Sequence, residues 1–189
     1  MMKYKILIPI SIVIISLYVF SIPKKVVENV NPNIEKTDSV SVFLKGYKYE
    51  NVDGTQFKFD QVKGKVLLLD FWATWCAPCL KAHPDVVALE SRINNPNLQV
   101  ITISIDKDQS KWKEFFAKNK WTSINIKIDP NDSDNPLNKM VTEKILHNGK
   151  TMIKTSVPRY YIIDKELLIE EIKDIKSEKT RLLIKEKLK

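Results

Sequence analysis

The chain has 189 residues, of which 43% are hydrophobic and 9% aromatic, and its formal net charge is +8. This length suits one domain with attachments, and the hydrophobic content excludes a chain that is disordered by composition. The basic residues form no stripe with interleaved aromatic residues, so we expect no nucleic-acid binding and interpret the excess charge as a solvated surface.

The N-terminal segment is apolar. Residues 6–22 carry no charge and as a helix would span about 25 Å, close to the thickness of a bilayer core. The large side chain of Ile22 makes a poor signal-peptide cleavage site. We therefore predict a membrane anchor at residues 1–22, with a cleaved signal peptide as the alternative. A linker at residues 23–38 and a folded domain at residues 39–189 follow, with the domain on the periplasmic or other extracytoplasmic side of an inner membrane.

The spacing of apolar residues predicts an α/β domain. Alternating strands and helices in the middle of the chain imply parallel strand pairing with right-handed crossovers, and the last two strands are typical of an antiparallel pair that closes the sheet. Asp53-Gly54 and Asn148-Gly149 are turn signals. We predict strands at residues 40–49, 56–59, 66–71, 98–105, 122–128, 159–164 and 167–172, and helices at residues 77–92, 108–118, 137–146 and 177–188.

The only two cysteines of the chain, Cys76 and Cys79, lie where the helix at residues 77–92 begins. A helix N-terminus lowers the pKa of a thiol, and the thiolate is the nucleophile. Cys76 precedes the helix and is predicted to be the exposed attacking group, while Cys79, one turn in, resolves the mixed disulfide. Pro78 suits an early helical position, and Trp75 supplies an apolar surround.

Two alternatives to a redox pair are half of a zinc site and a static disulfide. A structural zinc site usually has four ligands, and the chain offers only His83 and His147 as imidazoles. A disulfide that closes so short a loop stabilises a fold little. The spacing therefore favours a redox site, and we expect neither a metal nor a cofactor.

The run at residues 64–79, GKVLLLDFWATWCAPC, resembles the thioredoxin superfamily. Within it, the chain is similar to the membrane-anchored, exported thiol–disulfide reductases of bacteria, the TlpA/ResA-like group, over about residues 40–175. The resemblance implies a thioredoxin-like α/β fold with an N-terminal β-hairpin and a central mixed sheet flanked by helices. It also implies a cis proline that faces the cysteines and binds the substrate chain, which assigns Val157 and Pro158 to the substrate site.

Four further positions bear on the chemistry. Asp70 matches the buried Asp of thioredoxins: if desolvated, it would have a raised pKa and take the proton of Cys79, whereas the alternative is a strand-end Asp in solvent. Ala82 stands where many exported reductases carry Glu, which weakens the resemblance to that group. His83 replaces an apolar residue and is interpreted as a helix-surface histidine. Arg159 replaces the family's Thr and is read as favouring acidic partners or as simply exposed.

These inferences predict an exported, membrane-anchored thiol–disulfide oxidoreductase that acts as a reductase. The resemblance implies disulfide-containing client proteins, with apocytochromes c among them, and a membrane electron donor. One rival is a peroxiredoxin-like peroxidase, but its nucleophile usually lies in a Pro-x-x-x-Thr-x-x-Cys context, and here Thr74 is only two residues before Cys76. The other is a copper-binding chaperone of the same fold, which usually has three residues between its cysteines.

Overall fold

The computed structural model describes residues 46–119, 121 and 123–189. Within them, the strands are β1 (Tyr49–Asn51), β2 (Gln56–Phe57), β3 (Val66–Trp72), β4 (Leu98–Ser104), β5 (Ile124–Lys127), β6 (Thr142–His147), β7 (Lys150–Thr155), β8 (Arg159–Ile163) and β9 (Ile169–Ile172). Seven of them form a mixed sheet with the strand order β2-β1-β5-β4-β3-β8-β9, and β6 and β7 form a separate two-stranded ribbon. The helices are α1 (Ala77–Ile93), α2 (Gln109–Lys118), α3 (Pro136–Val141) and α4 (Glu178–Lys187).

Strand β3 is the centre of the sheet. All of its residues are buried, as its continuous apolar run predicts for a strand covered on both faces. It pairs parallel with β4 and antiparallel with β8, and Phe71 lies opposite Arg159. The segment after β3 and the segment before β8 therefore meet at the same edge of the sheet.

The side chains of β3 divide the core into two apolar clusters, because successive side chains of a strand point to opposite faces. Leu67, Leu69 and Phe71 join the cluster that includes residues of α2 and α3. Val66 and Leu68 join the cluster that includes residues of α1 and α4. The sheet is therefore sandwiched between two pairs of helices.

The ribbon of β6 and β7 differs from the prediction, which extended a helix over residues 137–146. Glu143, Lys144 and Leu146 are good helix formers, yet α3 ends at Val141 and these residues form β6. Asn148 and Gly149 have positive φ angles of 49° and 73°, the backbone that a two-residue hairpin turn requires. The turn signal therefore prevails over helix propensity, and β7 was not predicted at all.

The N-terminal hairpin is shorter than predicted. The turn forms at Asp53-Gly54, where the Gly54 N–H donates to the Asn51 carbonyl at 2.9 Å, but only Tyr49–Asn51 and Gln56–Phe57 are strands. The predicted strand residues 40–45 lie outside the described residues.

No helix in the described part of the chain has the length and apolar character needed to cross a membrane. This finding overturns the predicted location at an inner membrane with a periplasmic domain. Residues 1–22, on which that prediction depended, and the predicted linker at residues 23–38 lie outside the described residues.

Candidate active site

Cys76 and Cys79 form a disulfide at the start of α1, with their Cα atoms 5.3 Å apart. Cys76 is the N-cap residue of the helix, and its Sγ accepts a hydrogen bond from the Cys79 backbone N–H at 3.2 Å. Pro78 occupies the first turn, where its missing N–H leaves no donor unsatisfied. A thiolate at Cys76 would be stabilised by this N–H and by the helix dipole.

Solvent exposure does not distinguish the two cysteines, in contrast to the prediction of an exposed Cys76. Cys76 is 5% exposed and Cys79 is 4% exposed. Their difference lies in position, because Cys76 caps the helix and Cys79 lies inside its first turn. The exposed member of the motif is Trp75, at 66%.

The loop that carries the cysteines is fixed by Asp106, a residue that the sequence analysis missed. The buried Asp106 carboxylate accepts hydrogen bonds from the Thr74 backbone N–H at 2.9 Å and the Thr74 hydroxyl at 2.7 Å. It also accepts one from the Ser104 hydroxyl at 2.7 Å. Its signal in the sequence is a carboxylate just after a buried strand that runs parallel to β3.

Asp70 is buried in β3, with 3% of its surface exposed, so the alternative of a solvated strand-end Asp is wrong. It lies on the same face of β3 as Val66 and Leu68, which is the face that α1 covers. Burial raises the pKa of the Asp70 carboxyl, and His83 offsets part of this rise. A carboxyl with a raised pKa beside the active-site helix is suited to proton transfer.

His83 is also buried, at 6% exposure, so its interpretation as a helix-surface histidine is wrong. It lies on the buried face of α1 with Cys79 and Val86. Its Nδ1 is 3.9 Å from Asp70 Oδ2, and its ring stacks on Trp121 with centroids 3.2 Å apart. The sequence signal was its position four residues after Cys79, on the same face of the helix.

Val157 and Pro158 lie at the edge of the sheet where β3 ends and the cysteines begin. The bond between them is cis, and Val157 packs against the cluster that contains Cys76 and Cys79. The structure thus brings the residues assigned to the substrate site to the same edge as the disulfide.

Arg159 does not serve the acidic-partner role that its place beside Pro158 had indicated. Its guanidinium pairs with Glu143 and lies 3.8 Å from Glu171. Its side chain is only 14% exposed, so the alternative of an exposed arginine is also wrong, and its charge is balanced by two carboxylates of the same chain. No cluster of three or more potential metal ligands occurs among residues 46–119, 121 and 123–189.

The chain matches known proteins along most of its described length. A family model described as "Thioredoxin-like" matches residues 64–166. "Thiol-disulfide oxidoreductase ResA" from Bacillus thuringiensis subsp. konkukian is 27% identical over 143 residues, which cover 74% of this chain and 70% of that protein. "Probable nucleoredoxin 1" from Arabidopsis thaliana is 30% identical over 73 residues, which cover 38% of this chain and only 13% of that protein.

Solved structures show the same fold. The solution structure of a putative thiol-disulfide oxidoreductase from Bacteroides vulgatus has a TM-score of 0.58 at 23% identity and covers 74% of this chain and 84% of that one. The crystal structure of a putative thiol:disulfide interchange protein DsbE from Chlorobium tepidum has a TM-score of 0.57 at 21% identity. The match covers 76% of this chain and 93% of that one.

These matches confirm the predicted thioredoxin-like α/β fold with a mixed sheet flanked by helices. The predicted enzyme class, thiol–disulfide oxidoreductase, is confirmed as the class named for the Bacillus thuringiensis relative and for the Bacteroides vulgatus structure. Because the family model spans more than half of the sequence, the chain belongs to the thioredoxin-like family.

Proposed function

We propose that the protein is a thiol–disulfide oxidoreductase that reduces disulfides in client proteins. The observation that carries the proposal is the hydrogen bond from the Cys79 N–H to Cys76 Sγ at the N-terminus of α1. This contact favours the thiolate at Cys76 over the thiolate at Cys79, because only Cys76 caps the helix.

The reaction proceeds in two exchanges. The Cys76 thiolate attacks one sulfur of the client disulfide, and the other client sulfur leaves as a thiolate. Cys79 then loses its proton and attacks Cys76 Sγ in the mixed disulfide. The second client sulfur leaves with the electron pair, so the client gains two electrons and Cys76 and Cys79 form the disulfide that the structure contains.

Asp70 assists the second exchange. Its burial beneath α1 supports this role, because the raised pKa makes its carboxylate a better proton acceptor. Ala82, where many similar reductases carry Glu, offers no acidic side chain for the same purpose.

The client chain binds at the edge formed by Trp75 and Pro78 on one side and Val157 and Pro158 on the other. The exposed indole of Trp75 is available for contact with a client, since 66% of the residue is accessible.

The proposal also names the partners. They are disulfide-containing proteins, apocytochrome c among them, and an electron donor that reduces the disulfide again. We also propose that residues 39–189 act as one thioredoxin-like domain.

The two rival functions gain no support in the described residues. The one imidazole near the cysteines, that of His83, has its Nδ1 towards Asp70. Thr74 lies two residues before Cys76, whereas the threonine of a peroxidase lies three residues before its nucleophile.

Reduction of insulin disulfides by dithiothreitol tests the proposal, because the separated B chains precipitate and scatter light. We expect wild type to accelerate precipitation, Cys76→Ser to be inactive, and Cys79→Ser to accumulate a mixed disulfide with insulin. Val87→Ala, on an exposed part of α1, is the matched control and should match wild type. Equal rates for Cys76→Ser and wild type would overturn the proposal.

The reduction potential of the Cys76–Cys79 pair tests the direction of electron flow. A potential below about −200 mV would support a reductase, and a potential near −120 mV would support an oxidase.

A further inference from the structure

His83 is a buried polar group without an assigned role. Its ring is almost inaccessible to solvent, and neither Nδ1 nor Nε2 has a hydrogen-bond partner among the described residues. Buried polar groups in native proteins are nearly always paired, so an unpaired one at an active site requires an explanation.

The position of His83 on α1 places it over Cys79. The two residues are four apart on the same buried face of the helix, and residues at this spacing have Cβ atoms about 5–6 Å apart. Helical side chains also lean towards the helix N-terminus. The imidazole therefore lies over the turn that begins at Cys79.

On its other side, the imidazole faces Asp70. The distance of 3.9 Å between His83 Nδ1 and Asp70 Oδ2 exceeds a hydrogen bond, so the contact is electrostatic. His83 partly offsets the rise that burial causes in the pKa of Asp70. His83 thus has the Asp70 carboxyl on one side and, one helical turn earlier on the same face of α1, the Cys79 thiol.

Two contacts limit what the ring can do. Trp121, between α2 and β5, stacks on the imidazole at an interplanar angle of 11°, which fixes the plane of the ring and offers it no proton. Other titratable groups near the pair, among the described residues, include Tyr160 on β8 and Asp85 and Glu90 on α1 itself. Burial raises the pKa of the Tyr160 hydroxyl, with smaller contributions from Asp70 and Asp85, so Tyr160 stays neutral at physiological pH. Burial also raises the pKa of Glu90, and His83 opposes that rise.

We propose that His83 is the immediate proton acceptor for Cys79, and that Asp70 acts through His83 by stabilising the imidazolium. The proposal deepens the proposed function and rests on it. In the second exchange the Cys79 S–H bond breaks, the proton binds Nε2, and the thiolate attacks Cys76 Sγ. When the donor reduces the disulfide, Cys79 leaves as a thiolate and takes the same proton back from His83.

This arrangement makes the second exchange pH-dependent. At low pH the imidazole is already protonated and cannot accept the proton of Cys79. At high pH the thiol ionises without help, and the histidine is dispensable. The contribution of His83 is therefore confined to the interval between these limits.

The experiment separates the two exchanges. Reduced protein is mixed with slightly less than one equivalent of dithio-bis-nitrobenzoate, and release of the coloured thionitrobenzoate is followed by stopped flow. Attack by Cys76 releases the first equivalent and resolution by Cys79 the second. The variants are His83→Phe, which keeps an aromatic ring against Trp121, and His147→Gln, the matched control at the other histidine, which is exposed in β6.

We expect His83→Phe to leave the rate of the first release unchanged and to slow the second release at pH 7 by at least about tenfold. A general base typically contributes a factor of about 10² or more, so a tenfold effect is a conservative threshold. The difference should shrink as the pH rises, because a larger fraction of the thiol then ionises without a base. His147→Gln should follow wild type. Identical pH profiles of the second release for His83→Phe and wild type would overturn the role of His83. A wild type without any second release would instead overturn the proposed function.

A measurement on the wild-type protein covers the case in which His83→Phe does not fold. Each of the two histidines gives one Cε1–H proton resonance, and the His147→Gln variant assigns them. We expect the His83 resonance to titrate at a different pH in oxidised and reduced protein, and the His147 resonance to titrate at the same pH in both. A His83 titration that is independent of the redox state would contradict the proposal.

Discussion

Asp70 is a carboxyl group in the middle of an apolar sheet, and its only nearby imidazole is 3.9 Å away. Burial raises its pKa above that of an unfolded Asp, which is about 3.9, because the charged form is poorly solvated there. The folded protein therefore binds more protons than the unfolded chain between pH 4 and the raised pKa. Its free energy of unfolding falls as the pH rises through that interval.

Asp70→Asn removes this penalty and should stabilise the protein at neutral pH. We expect the urea midpoint of the variant to exceed that of wild type at pH 8, with a gap that closes as the pH falls towards 4. The same variant should slow the resolution of the mixed disulfide, because the carboxylate that assists this step is gone. A gap in urea midpoint that stays constant between pH 4 and pH 8 would contradict this account.

The redox residues themselves were predictable from the sequence, but their surroundings were not. The spacing of Cys76 and Cys79 and the apolar run before them are local features. Whether His83 faces solvent or Asp70 depends on how α1 packs on the sheet, and no local pattern specifies that. The role of Asp106 was not predictable for the same reason, because its contact with Thr74 joins segments that follow different strands.

At the scale of elements, the hydrogen bonds of Asp106 join the end of β4 to the end of β3. Asp106→Ala would leave the Thr74 N–H, the Thr74 hydroxyl and the Ser104 hydroxyl without this acceptor. We expect a loss of about 3 kcal/mol in the free energy of unfolding, since hydrogen bonds to a buried charge are worth about 1.5–3 kcal/mol each and partly reform with water. Urea unfolding at pH 7 measures it.

Asp108→Ala is the matched control for that substitution. Asp108 is exposed and caps α2 by accepting from the backbone N–H groups of Ser110 and Lys111. Loss of such a cap costs about 1 kcal/mol. If Asp106→Ala destabilises the protein no more than Asp108→Ala does, Asp106 does not hold the active-site loop.

The elements that the sequence predicted well are those with one dominant signal. The prediction for β3, residues 66–71, agrees with Val66–Trp72, and that for α1, residues 77–92, agrees with Ala77–Ile93. The prediction was wrong where two signals compete, as in β6, whose residues favour a helix while the turn that follows favours a hairpin. Pairing with β7, which lies later in the chain, then makes these residues a strand and not a helix.

At the scale of the whole molecule, the ribbon of β6 and β7 exposes apolar side chains to solvent. Leu146 is 78% exposed, so it contributes little to the core. Leu146→Asn should change the free energy of unfolding by less than about 0.5 kcal/mol and reduce self-association at high concentration. Urea unfolding and light scattering test both expectations.

Leu69→Ala is the corresponding change inside the sheet. Leu69 is fully buried in β3, and such a truncation costs about 2–5 kcal/mol through lost contacts and the cavity that remains. A comparable loss for Leu146→Asn would show that the ribbon belongs to the stabilising core.

The pairing of β3 with β8 also has a consequence for the synthesis of the protein on the ribosome. Almost half of the chain separates Phe71 from Arg159, its partner in register, and a ribosome delivers the N-terminal part first. Both thiols therefore emerge long before Val157 and Pro158 exist to flank them. For that period the cysteines are part of an unfinished nascent chain, and the substrate edge of the redox centre is complete only after β8 has been made.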